Sequence, residues 1–106
     1  DKARAVVERR RLAFAGCAFV ALALTEKGEL ADDPEVDLVG IPEKNASGED
    51  IADDVFDVVV STVENLPRAR RRDPDAVAES VRRAVRAEIN EQWGKKPLCV
   101  VHVLMA

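Results

Sequence analysis

Residues 73–104 read DPDAVAESVRRAVRAEINEQWGKKPLCVVHVL. Asp73 suits the acceptor of a helix's first free N–H groups, and Pro74 suits its first position. Val77, Val81, Val85, Ile89 and Trp93 recur every fourth residue, with Ala78 and Ala84 beside them. That spacing makes one apolar stripe on a helix. Gly94 supplies a left-handed stop, and Pro97 prevents a restart. Residues 98–104 then offer the strand on which the stripe lies. Burying five large side chains contributes roughly 7–15 kcal/mol before entropy, an upper bound. Nothing in the stretch is a reaction centre, so by itself it says only soluble α+β domain.

Working outward, residues 48–66 carry Ile51, Val55, Val58, Val59, Thr62 and Leu66. This predicts a second amphipathic helix, starting near Ser47, despite the strand-like run at residues 58–60. Glu49, Asp50, Asp53 and Asp54 load its first turns, where the helix dipole favours acids. Pro67 ends it, and residues 68–72 form a short basic connector. Upstream, residues 11–25 (RLAFAGCAFVALALT) are apolar on both faces, as a central strand is when covered on each side. Gly16 marks a bulge or a close backbone approach. TEKGEL at residues 25–30 is a turn, and residues 35–41 are a short strand antiparallel to the first. The expected fold is α+β in two layers. A small three-stranded sheet, order β-β-α-α-β along the chain, is covered on one face by two helices. Residues 1–10 read as the end of a linker and residues 11–106 as the domain.

At 106 residues the chain makes one domain with a single core. Its longest apolar run, residues 12–24, is 13 residues, too short to cross a membrane as a helix. Arg9, Arg10 and Arg11 precede it, but neither an initiator Met nor a small-residue cleavage site completes a signal peptide. Cys17 and Cys99 lie in apolar runs and read as buried thiols in a reducing compartment. Charge is polarised. Residues 26–57 hold twelve acids against Lys27 and Lys44, a net of −10, whereas residues 66–96 hold nine bases against five acids, a net of +4. An acidic side and a basic side favour oriented docking, and the overall charge of −4 is not that of a free nucleic-acid binder.

Catalytic signatures are scarce. His102 is the single histidine, and three residues from Cys99 on a strand it points to the opposite face. No phosphate-cradling glycine loop or G-x-S-x-G is present. Asp53, Asp54 and Asp57 read as a solvated helix face. The basic set Arg68, Arg70, Arg71, Arg72, Arg82, Arg83, Arg86, Lys95 and Lys96 is the candidate for RNA-backbone contact. With no tyrosine and few aromatics, base stacking is not expected.

Residues 8–16 (ERRRLAFAG), 66–86 (LPRARRRDPDAVAESVRRAVR) and 93–104 (WGKKPLCVVHVL) resemble the C-terminal domain of bacterial ribonuclease J, in its proteobacterial form. The resemblance covers nearly the whole chain. It implies a cytoplasmic, metal-dependent RNase with 5′-to-3′ exonuclease and endonuclease activities. Its zinc ligands belong to a metallo-β-lactamase domain accompanied by a β-CASP domain, and both would be partners of this one. No catalytic residue, metal or cofactor is carried over to this chain. What the resemblance assigns here is an accessory, non-catalytic role that supports self-association and full activity. Phe14, Phe19, Val101, Val103 and Met105 are the residues expected on the association surface, with no membrane contact.

Overall fold

The computed structural model describes residues 15–106. Phe14 and the linker reading of residues 1–10 lie outside the described residues. Three strands, β1 (Cys17–Leu24), β2 (Glu35–Val39) and β3 (Leu98–Met105), form one sheet in the order β2-β1-β3. β1 pairs with β2 antiparallel and with β3 parallel. The parallel pair needs a crossover. Helices α1 (Ile51–Asn65), α2 (Arg68–Arg71) and α3 (Pro74–Trp93) supply it. The α+β architecture and element order are those the sequence predicts, with one added helical turn where the basic connector was expected.

Sequence chemistry explains the boundaries. Asp73 accepts from the N–H groups of Asp75 and Ala76, Pro74 occupies the first turn of α3, and Gly94 ends it with φ of 80°. α1 starts at Ile51, later than Ser47, with Asp50 as its cap accepting from the Asp53 N–H. The delay has a local cause. The Asn45 side-chain oxygen accepts from the N–H groups of Ser47 and Glu49, and Gly48 takes φ of 82°, so residues 45–49 are committed to a turn. β2 stops at Val39 rather than residue 41 because Gly40 turns the chain at φ of 71°.

The core lies between the sheet and the two long helices. Ala18, Val20, Leu22 and Leu24 on alternate positions of β1 meet Ile51, Val55, Val59 and Val63 of α1 and Val77, Val81, Val85 and Ile89 of α3. All eight helical residues are essentially inaccessible. Trp93 packs at the edge of this cluster, with the Lys95 ammonium 4.8 Å from its ring centre. Gly16 sits where a Cβ would lie 2.6 Å from the Val39 carbonyl oxygen, at φ of 70°. The expected close backbone approach is therefore real.

Cys17 and Cys99 are free and buried. Burial pushes the Cys17 thiol up from its ordinary range. Burial also pushes up Cys99, with Arg86 and Arg82 pulling back and Cys17 adding to the rise.

Two measurements check this account. Urea unfolding of Ile89→Ala should show a loss of about 2–5 kcal/mol, the usual cost of such a core truncation, and Gly16→Ala a loss of about 1–3 kcal/mol from backbone strain alone. Both thiols should react with a disulfide reagent more slowly than an unfolded control at neutral pH, because a raised pKa leaves less thiolate. By the same linkage their contribution to stability is fully present below the unfolded thiol pKa of about 8.5 and is lost as pH rises through the raised folded values.

Candidate interaction surface

The two helices cover only one side of the sheet. Strand register places the side chains of the other side in rows. Val39, Cys17 and Leu98 form one row, Asp37, Phe19 and Val100 the next, and Glu35, Ala21 and His102 a third, with Ala23 beside Leu104 beyond them. Phe19, Val39, Leu98, Val100 and Leu104 are 42–58% exposed, and no described element packs over them. The face is thus an apolar strip bordered by two carboxylates on the β2 side and an imidazole on β3.

Of the residues expected on an association surface, Phe19 lies on this strip, but Val101 and Val103 do not. Both point to the helix side and pack against the core. Met105 shares their side and is exposed at the strand's end. The error is one of phase. A strand's faces swap with a one-residue shift, and before its last residue the exposed positions of β3 are Leu98, Val100, His102 and Leu104. His102 carried the signal. As the only strongly polar side chain of β3, it marks its own parity as the solvent side, and Val100 and Leu104 share that parity.

The basic residues do not form one patch. Arg68, Arg70 and Arg71 lie in α2, with Arg72 just after, at the N-terminal end of α3. Lys95 and Lys96 follow its C-terminal end, about 30 Å away along a 20-residue helix. Arg71 is half-buried against Gly28, and its Nε has no hydrogen-bond partner. Arg82 and Arg83 both pair with Glu79, Arg83 Nε at 2.9 Å.

Asp54 of the acidic set is bonded. Gln92 Nε2 donates to Asp54 at 3.0 Å and to Glu88 at 2.9 Å, while the Asn45 amide donates to Gln92 Oε1 at 2.9 Å. This ties the loop before α1 to both long helices. It was invisible in sequence, since the partners are 38 and 47 residues apart. Cys99 and His102 fall on opposite faces, and among the described residues no group of three His, Cys, Asp or Glu is placed to hold a metal ion. No helix among the described residues is long and apolar enough to cross a membrane.

A family model described as the ribonuclease J C-terminal domain matches residues 4–106. Ribonuclease J of Sinorhizobium meliloti (strain Sm2011 / Rm2011 / 2011) is 43% identical over 96 residues. That match takes in 91% of this chain but only 17% of the relative's length. With the family model matching residues 4–106 and a relative 43% identical over 91% of the chain, the chain belongs to the ribonuclease J C-terminal domain family.

Proposed function

We propose that this chain is a non-catalytic accessory domain of a ribonuclease J and that it works by self-association through the bare face of its sheet. The longer protein would be a metal-dependent 5′-to-3′ exo- and endoribonuclease of RNA processing and decay, working in the cytoplasm. Its zinc would sit in a catalytic domain that this domain helps to assemble. One observation carries the reading: five large apolar side chains stand on the helix-free face with nothing described packed over them. Exposed contiguous apolar surface of this kind marks an interaction site.

Size sets the expected strength. Two strands of eight residues and one of five, about 4.8 Å apart, span at most roughly 14 by 26 Å. Two such faces stacked together bury on the order of 1,000 Å², at the lower limit for a specific interface. Association should therefore be reversible in the micromolar range. Rotation about an axis along β1 sets β2 of one copy over β3 of the other, so Glu35 would face the partner's His102, and Asp37 the partner's Val100, rather than their own kind.

Analytical ultracentrifugation tests the proposal. The 106-residue chain should dimerise at high micromolar concentration, and Phe19→Asp or Val100→Asp should weaken the dimer at least tenfold by burying a charge. Val101→Ala, on the helix side, should change stability but not the dimer constant. A strict monomer would sink the proposal. Salt-sensitive filter binding of RNA, lost on replacing Arg70, Arg71 and Arg72 with alanine, would favour direct RNA-backbone contact instead.

A further inference from the structure

The outer edge of β3 carries a second unmet requirement. Among the described residues β3 ends the sheet, and it runs for eight residues with no proline, glycine or charged side chain apart from His102. β2, the opposite edge, is five residues long, lies between Pro34 and Gly40, and carries Glu35 and Asp37. Short length, flanking breakers and charge are the means by which proteins blunt an edge. β2 has them and β3 does not.

Hydrogen bonding fixes which groups are left over. The Leu98 N–H donates to the Gly16 carbonyl at 3.2 Å, and the Ala106 N–H to the Leu24 carbonyl at 2.7 Å. Main-chain groups alternate sides along a strand, so even-numbered residues bond inward to β1. The N–H and C=O groups of Cys99, Val101, Val103 and Met105 therefore point outward, four donors and four acceptors in a row.

The same edge is lined by cations. Glu88 and Gln92 sit on the side of α3 that faces α1. Arg82 and Arg86, one position past the buried Val81 and Val85, fall on the other side, toward β3. Both guanidinium groups are near enough to act on the Cys99 thiol. Arg82 shares Glu79 with Arg83, whereas Arg86 makes no ion pair among the described residues. Lys95 and Lys96 stand just before the strand.

We propose that the β3 edge accepts an extended acidic segment of a partner protein as a fourth strand. Its main chain pairs with Cys99, Val101, Val103 and Met105. Its acidic side chains turn toward Arg82 and Arg86, and its alternate apolar side chains continue the bare face. This is strand addition to an open edge with charge setting the choice of guest. A second copy joined β3 to β3 is disfavoured, because it sets Arg82 and Arg86 against their own counterparts. An RNA strand cannot answer a row of alternating donors and acceptors at strand spacing.

The test is an NMR titration of the isotope-labelled 106-residue chain with the capped peptide (Glu-Val)4. Amide signals of residues 99, 101, 103 and 105 should move more than those of 98, 100, 102 and 104. Affinity should drop at least tenfold for Arg86→Glu and be lost for Val101→Pro, which removes one outward N–H but no bond to β1. Arg86 is exposed, so its variant keeps the test sound if Val101→Pro fails to fold. Equal binding of (Lys-Val)4, edge shifts that grow with chain concentration without peptide, stronger shifts with an oligoadenylate, or no shift at millimolar peptide would each overturn the proposal. None of these depends on Phe19, so failure here is distinguishable from failure of face-to-face association.

Discussion

The whole molecule depends on the two-residue period of β1. Ala18, Val20, Leu22 and Leu24 face the helices, and Phe19, Ala21 and Ala23 face away. The inward set is what the four-residue stripes of α1 and α3 close upon. A helix stripe built from valines every fourth residue is narrow, so two helices side by side are needed to cover a three-stranded sheet. Both are spent on one side. With only two long helices among the described residues, the second face stays bare. One-sided coverage is thus a consequence of the element count, and it leaves the domain with surface to share.

Much of this was legible in the sequence because the strongest signals are local. The caps of α3, its stripe and its glycine stop are contiguous, and they fix a helix within a residue at each end. The valine run at residues 58–60 folds as helix because the longer stripe from Ile51 to Val63 outweighs a three-residue preference. What escaped was non-local or a matter of phase. The start of α1 depends on a turn organised by the Asn45 side chain, and the Gln92 network joins residues far apart in the chain. β3 was found as a strand, but its apolar residues occupy both parities. The single polar residue, His102, is the one local mark of the solvent side, and the register with β1 shows which apolar residues share it. The family resemblance added the assignment of the chain and contributed nothing to that phase.

β3 therefore serves two surfaces with different parts of the same residues. The side chains of Leu98, Val100, His102 and Leu104 belong to the bare face, while the main-chain groups of Cys99, Val101, Val103 and Met105 belong to the free edge. Occupying one does not obstruct the other. A guest strand at the edge widens the apolar face by one strand spacing, about 4.8 Å. For a face at the lower size limit of a specific interface, growth from three strands to four enlarges the buried area by about a third. Edge binding and face-to-face association would then reinforce each other, and by linkage each would raise the affinity of the other by the same factor. Dimerisation measured with the acidic peptide present and absent gives that factor directly. A ratio of one would mean that the guest's apolar side chains do not reach the second copy.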